Sequence, residues 1–473
     1  MGAENLPSGK RPIVCSSRRA IPNLSLAVDK NWSLSVTPTT IDTAIGIALD
    51  GILNNRLVLL AGAGLSMAAP SNLPSAAKIA QDAKTEYDAR YGGIRPPLPL
   101  AIEEQANQFF DAGELGVYLK EYVDQDVFAA QPNAGHVAVA DLLLSQGLQA
   151  AVTTNVDILI ETAGQGLMGQ VFTGIEGSAV AAPPGGAAPL LKIHGCWLQE
   201  RDHTVWAPGQ VTAAPVVGRI ASSATWLQTA LLDKDLLIVG YSTDWDYLNE
   251  VLQQTLGAVS PASVLVVDPS NTAQFITKAP QLAALADRAK KGSFHLQLSG
   301  ADFLDELRLK FSKVFIRRAI AKGVPEFEAI TGRAPVTASQ EAPDLDNDNL
   351  WRIRRDLLGC KPNKPARQPG PHNEPAVGLT LLQLREAGGT PSGPYWNVGG
   401  RVVRVIRAAG EFLHALEGEY MWDMPPVSAP DIVVAVGAED VFLPAHLARR
   451  PDGSIARGAG PGWMTRATFE GTL

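Results

Sequence analysis

Cysteine is scarce in this chain of 473 residues: only Cys15, Cys196 and Cys360 occur, and no two of them form a C-x-x-C pair. Three such thiols exclude a four-thiolate zinc ribbon and argue against a disulfide framework. A cytoplasmic, reducing setting without a metal site is expected. Long apolar runs are missing as well, so no segment is expected to cross a bilayer. The opening MGAENLPSGKRPIVC lacks the basic, apolar and small-residue order of a secretory leader, and Leu6 stands where myristoylation needs Ser or Thr. Basic residues are not in excess either. With 40 Lys and Arg against 48 Asp and Glu the chain is mildly acidic, which disfavours broad nucleic-acid binding and leaves local basic patches open.

What the chain does have is a succession of apolar strands and helices longer than one hydrophobic core serves, so two or three domains are expected. Residues 1–38 mix Pro, Ser, Asn and short apolar pieces without a period and read as an N-terminal arm. Thr39 or Thr40 can cap a helix whose apolar residues include Ile41, Ala44, Ile45, Ala48 and Ile52. The stretch Arg56–Ser66, RLVLLAGAGLS, follows. Leu57, Val58, Leu59 and Leu60 have the composition of a strand buried on both faces of a parallel sheet, and the small residues after them let backbone N–H groups approach a ligand. Helical patterns fill about 75–147. Four further apolar strands end in small or polar residues: Thr153, Thr154, Asn155 and Asp157 close one, His194 and Gly195 the next. Gly240, Ser242, Asp244 and Asp246 close the third, and Asp268 the last.

The expected fold is therefore α/β: a Rossmann-like doubly wound parallel sheet with a helical insertion, spanning 39–322. Polar residues at the carboxyl ends of its strands are where open sheets place ligands. Residues 323–372, rich in Pro, Ala, Asn and charge, read as a linker with one short helix. Residues 373–473 read as a smaller C-terminal α/β or α+β domain with no known motif, suited to sensing, partner binding or oligomerisation. The basic residues Arg308–Arg318 and the cluster Arg352, Arg354 and Arg355 read as solvated helix faces.

Four pieces now stand in chain order: GAGLS at Gly62–Ser66, TTNVD at Thr153–Asp157, KIHG at Lys192–Gly195 and GYSTD at Gly240–Asp244. This order resembles the sirtuin superfamily, in which a GAG-x-S loop, a T-x-N-x-D strand end, a histidine in an HG pair and a later G-x-S strand end together bind NAD. The resemblance covers roughly Thr40 to Gly300. Two departures matter. Asn72–Lys78 reads NLPSAAK where deacylating sirtuins carry a proline-aspartate-phenylalanine-arginine segment, and their four-cysteine ribbon cannot exist here. The uninterrupted passage from HG to GYSTD looks like the sirtuin-like domains of bacterial anti-phage defence proteins, such as the Thoeris effector and the subunits paired with short Argonautes or HerA-type ATPases. That likeness implies an NAD+ hydrolase acting in abortive infection, with NAD+ as its substrate. It also implies a homo-oligomer, or a complex with an Argonaute-like, HerA-type or similar partner, and no membrane; direct nucleic-acid contact stays open. An NAD-dependent deacylase or ADP-ribosyltransferase and a non-catalytic NAD-binding subunit are the alternatives.

The chemistry asks for few groups. Cleaving the bond between nicotinamide and ribose passes through an oxocarbenium-like state with a leaving group that is already cationic, so little acid catalysis is needed. A group that orients water and a base that removes a proton suffice. Asn155, whose amide both donates and accepts, suits the first task, and His194, with an unperturbed pKa near neutrality, suits the second. Asp157 would fix Asn155 or the nicotinamide amide. Gly62, Ala63, Gly64 and Ser66 would hold the pyrophosphate, with Thr154 also in the site, while Gly240, Ser242 and Asp268 would line the ribose and adenine end. Plainer roles compete: Asn155 as a helix cap, Asp157 satisfying backbone donors, His194 as a satisfied core residue, Asp244 and Asp246 as caps, and Cys196 as packing.

Overall fold

The expected apolar runs form strands because each lies between two hydrogen-bonded neighbours, with helices over both faces, so every position is inside. In a computed structural model that describes residues 36–241, 246–362, 374–420, 423, 429–440 and 461–472, these are β2 (Leu57–Ala61), β3 (Ala150–Thr153), β5 (Pro189–Lys192), β6 (Asp235–Val239) and β7 (Ser263–Asp268). All five are buried along their whole length. Three more strands complete the sheet: β1 (Val36–Pro38), β4 (Phe172–Gly174) and β8 (Ser293–Gln297). The order is β1-β8-β7-β6-β2-β3-β5-β4, and every pairing is parallel.

Alternation along β2 divides the interior. Leu57, Leu59 and Ala61 pack with Ala44 and Ile45 of helix Ile41–Leu53, Leu142 of helix Ala134–Leu144, and Phe303 and Leu307 of helix Gly300–Ala321. Val58 and Leu60 point the other way, against Ile220 of helix Val216–Ala230, Leu252 of helix Asp246–Leu256 and Leu282 of helix Pro280–Asp287. The expected insertion contains helices Ala76–Tyr91, Ile102–Asp111 and Leu115–Glu121, which share a cluster of Tyr87, Phe109, Tyr118 and Tyr122.

Three expectations change. The arm ends earlier than residue 38, because Val36–Pro38 already pairs with β8; residues 1–35 lie outside the described set. The stretch expected as linker forms three helices, Val324–Thr331, Thr337–Gln340 and Asn347–Leu358, and its remainder, 363–373, lies outside the described residues. Leu350, Ile353 and Leu357 of the last helix share a core with Ile316 and Ile320 of helix Gly300–Ala321 and with Val405 and Val434 of a second sheet. Those 22 residues therefore serve one core with their first half and another with their second. The basic cluster is the third change. Arg308, Arg354 and Arg355 are buried, with carboxylates of Asp141 and Asp423 against their guanidinium groups, so those arginines do not belong to solvated faces.

The second sheet has the order β13-β12-β11-β10-β9, where β9 is Thr390–Ser392, β10 Tyr395–Val398, β11 Arg401–Arg407, β12 Ile432–Val436 and β13 Gly462–Thr465. It is antiparallel on one side of β11 and parallel on the other. The chain thus carries the doubly wound sheet and the smaller mixed domain that its pattern predicts. Among the described residues no helix is long and apolar enough to cross a membrane.

Candidate active site

Register brings the strand ends to one level. Ala61 lies opposite Thr153 on one side and Val239 on the other, Thr153 lies opposite Lys192, and Val239 opposite Val267. One or two residues further along, Gly62, Thr154, Asn155, His194, Gly240 and Asp268 stand along one carboxyl edge. This edge contains the switch point, because β3 is reached on one side of β2 and β6 later on the other.

At the switch the ends of β2 and β6 touch backbone to backbone. The Gly62 N–H donates to the Val239 carbonyl at 2.9 Å and the Gly64 N–H to the Gly240 carbonyl at 2.8 Å. A Cβ on Gly62 would lie 2.7 Å from Tyr241 Cα, and one on Gly64 2.8 Å from the Gly240 oxygen. These glycines permit close approach of two strands, and their N–H groups are bonded within the protein rather than offered to a phosphate. What the turn leaves in the open is Ala63 and Gly64, both exposed.

Ser66, beneath that lip, is buried and bonded on every side. Its hydroxyl donates to Asp157 Oδ2 at 2.8 Å, accepts from Asn155 Nδ2 at 2.9 Å, and lies 3.0 Å from His136 Nε2. The proton positions follow from the neighbours. His136 Nδ1 accepts the Asn133 N–H at 3.2 Å, so in the neutral ring the proton is on Nε2, which donates to Ser66. Burial holds His136 neutral, pushing its pKa down to about 4 against the opposing pull of Asp157. Serine, histidine and aspartate meet here with the wrong polarity for a nucleophilic triad, since the serine gives its proton to the carboxylate and the imidazole is a donor. With both lone pairs and its proton engaged, the Ser66 hydroxyl is a fixed support, not the pyrophosphate ligand expected of it.

The amide of Asn155 is thereby oriented. Its Nδ2 faces Ser66, its backbone N–H donates to Thr153 Oγ1 at 3.0 Å, and its Oδ1 is buried without a partner among the described atoms. It caps no helix. The helix Leu159–Gly166 has Ile158 at its N-cap; Asp157, one residue earlier, accepts the Leu159 N–H at Oδ1 at 3.1 Å, so it both satisfies a backbone donor and holds Ser66. Behind them the ammonium of Lys192 is fully buried against the Asp157 carbonyl and pairs with Glu161 at 3.0 Å.

His194 stands one strand away, with 4 % of its surface exposed. Burial first and the nearby Arg219 charge second push its pKa down to about 4, and a hydrogen bond to the Thr154 backbone opposes them. Nε2 is buried with no partner among the described residues, so that backbone bond is made through Nδ1–H and the lone pair is on Nε2. His194 is thus a neutral base at pH 7, well away from the near-neutral titration expected of it. Gly195, at φ +89°, leaves room for Arg219, whose Nη2 donates to the His203 carbonyl at 2.7 Å.

The remaining expectations divide. Thr154 lies in the site, its N–H bonded to the Ala61 carbonyl at 3.1 Å. Asp268 is buried and holds its own turn by accepting from Ser270 N at 2.8 Å. Ser242 and Asp244 lie outside the described residues, as does the side chain of Asp246. Cys196 is buried, with Sγ 3.6 Å from Lys192 Nζ. The chain pattern did not single out His136 or Arg219. Asn133 three residues before His136, at the head of an otherwise apolar helix, was the available signal for the first; no comparable signal marks Arg219. A cavity of about 450 Å³ lined by Pro132, Leu167, Met168 and Trp351 contains none of these site residues.

Comparison with known proteins gives one family match: residues 149–288 fit the SIR2-like domain, so the chain carries a sirtuin-like domain. No curated protein matches the chain. Among solved structures, a Sir2 homologue–NAD complex is 19 % identical, covering 58 % of this chain and 95 % of that chain at a TM-score of 0.35. A Sir2 homologue mutant in complex with ADP ribose is 20 % identical, covering 58 % and 96 % at a TM-score of 0.33.

Proposed function

We propose that this chain is an NAD+ glycohydrolase that cleaves NAD+ to nicotinamide and ADP-ribose, and that it serves as the NAD-depleting effector of a bacterial anti-phage system. One observation carries the catalytic part: two buried acceptors, Asn155 Oδ1 and His194 Nε2, lack partners among the described residues at the ends of adjacent strands in a sirtuin-like domain. Each unmade bond costs about 1–3 kcal/mol, a cost that makes sense where substrate or water supplies the missing donor.

In this reading the nicotinamide riboside end of NAD+ lies over Asn155 and His194, and the exposed Ala63–Gly64 lip is the surface for its pyrophosphate. Water donates to Asn155 Oδ1, which holds it beside the anomeric carbon. As the bond to nicotinamide breaks, the electron pair leaves with the neutral base and the ribose becomes oxocarbenium-like. Water then adds, and its proton passes to His194 Nε2. The defence role rests on the order of the four motifs and the absent ribbon.

Nicotinamide release from NAD+, followed by chromatography, tests the reading. Asn155→Ala and His194→Ala should each lower turnover at least about 100-fold in a protein that still unfolds cooperatively. Full turnover in both variants would sink it, and release that requires an acylated peptide would point to a deacylase instead.

A further inference from the structure

We infer that His136 is a positioning residue for this site, acting through Ser66 to fix which end of the Asn155 amide faces the reacting atoms. For its kinetic consequence this rests on the hydrolase reading; its structural content does not.

The argument is one of hydrogen-bond polarity. A serine hydroxyl has one proton and two lone pairs, and an amide presents a donor at one end and an acceptor at the other. If Ser66 were free to turn its proton toward Asn155, the amide could rotate by half a turn and present Nδ2 where Oδ1 now stands. Two neighbours prevent this. The Asp157 carboxylate takes the proton, and the His136 N–H fills the lone pair that Asn155 does not use. His136 can do so only as the Nε2–H tautomer, and the protein selects that tautomer locally. The Asn133 N–H points at Nδ1, while Asn133 Oδ1 accepts the His136 backbone N–H at 3.1 Å. Asn133 is itself tied to the glycine-rich turn, donating from Nδ2 to the Leu65 carbonyl at 2.7 Å. The cap of helix Ala134–Leu144 therefore sets a tautomer, the tautomer sets a serine, and the serine sets the catalytic amide.

Gln and Leu substitutions separate this from a packing role. Glutamine can place its amide nitrogen near the position of Nε2 and keep the donor to Ser66; leucine fills similar space without one. His136→Leu should lower kcat at least about tenfold with KM within about twofold, whereas His136→Gln should keep kcat within about threefold of the parent. Equal losses in both variants, or a loss expressed in KM, would overturn the proposal. The imidazole ¹⁵N and ¹H resonances of the free parent protein, assigned by their disappearance in either variant, give a readout without turnover. His136 should show Nε2–H with bare Nδ1 and no titration from about pH 6 to about pH 8. The Nδ1–H tautomer, or a midpoint in that range, would refute the positioning role even in a protein that consumes NAD+. A parent protein that consumes none would instead refute the hydrolase reading, and the resonances would still judge His136.

Discussion

Two buried polar regions of this molecule obey different rules. At the carboxyl edge of the first sheet, Ser66, His136 and Asn155 are uncharged, each bond has a fixed direction, and an acceptor is left over at Asn155 Oδ1, as at the neighbouring His194 Nε2. Around helix Asn347–Leu358 the polar groups are charged and matched. Asp141 accepts from Arg308 Nε at 2.7 Å and from Arg354 Nη2, and Arg404 grips both oxygens of Asp356 at 2.7 Å while sharing Asp423 with Arg355. Unpaired atoms occur there too: one nitrogen each on Arg308, Arg354 and Arg355, every one of which has another nitrogen on a carboxylate, and the Oδ1 atoms of Asp423 and Asn347, whose other side-chain atoms are bonded. Those left-over atoms belong mostly to charged side chains already ion-paired through another atom, whereas Asn155 and His194 at the sheet edge carry no charge, and in the proposed mechanism their lone pairs orient water and take a proton. In the proposed mechanism the first region receives water and substrate; the second joins the C-terminal sheet to the body.

The sharpest way to break this contrast is to remove Asp141. Asp141→Ala leaves Arg354 fully buried with no carboxylate and Arg308 with only the exposed Asp348, so unfolding in denaturant should show a loss of about 3–5 kcal/mol. A loss under about 1 kcal/mol would mean that the ionic cluster is not what joins the two cores. The same substitution is informative about the site, since Asp141 lies on the helix that carries His136.

Acid separates the two regions by pH window. His136 and His194 have folded pKa values of about 4, below the ordinary 6.5, so between those values the unfolded chain binds protons that the native chain refuses. Their contribution is full above about pH 6.5 and is lost as pH falls toward about 4, up to about 3 kcal/mol apiece. Burial raises the Asp423 carboxyl, but Arg404 and Arg355 more than offset it and hold it below the ordinary carboxylate value. Its stabilisation is lost only as pH drops below 3.8 and through that lowered pKa. Denaturant melts across pH should therefore show the histidine loss before the carboxylate loss. A stability profile flat from about pH 7 to about pH 4 would contradict neutral, buried imidazoles at the site.

How far each region could be read from sequence follows from the same physics. The strand ends that carry the candidate site are legible because parallel strands buried on both faces are uninterrupted apolar runs, so Asn155, Asp157 and His194 stand out where Val152 and Ile193 stop. The strands that escaped notice give weaker signals: β1 has one buried residue in three, β4 is three residues long, and β8 alternates as SFHLQ. His136 escaped because its partners, Ser66 and Asn133, are bound by the fold and not by a motif. The arginines of helix Asn347–Leu358 were misread for a related reason. A charged residue scores as solvated unless the carboxylate that neutralises it is known, and Asp141 lies more than two hundred positions away from Arg354. Long-range neutralisation leaves no local periodicity.

The smallest effect, and the finest test of the contrast, is Thr153→Val. Valine has nearly the shape of threonine, so β3 should keep its register with β2 and β5, and the only bond lost is that from the Asn155 N–H to Thr153 Oγ1. One neutral hydrogen bond removed at a buried donor predicts a loss of about 1–2 kcal/mol in denaturant unfolding. Turnover should fall more than that stability loss would by itself produce, because the freed N–H belongs to the residue whose side-chain amide orients water in the proposed mechanism. An equivalent loss in the ionic region, for example Ser312→Ala, which removes the partner of Arg354 Nε at 3.2 Å, should lower stability by a similar amount and leave turnover unchanged. If the two variants lost turnover equally, the sheet edge would have no privileged connection to catalysis, and the unpaired acceptors there would be ordinary packing defects.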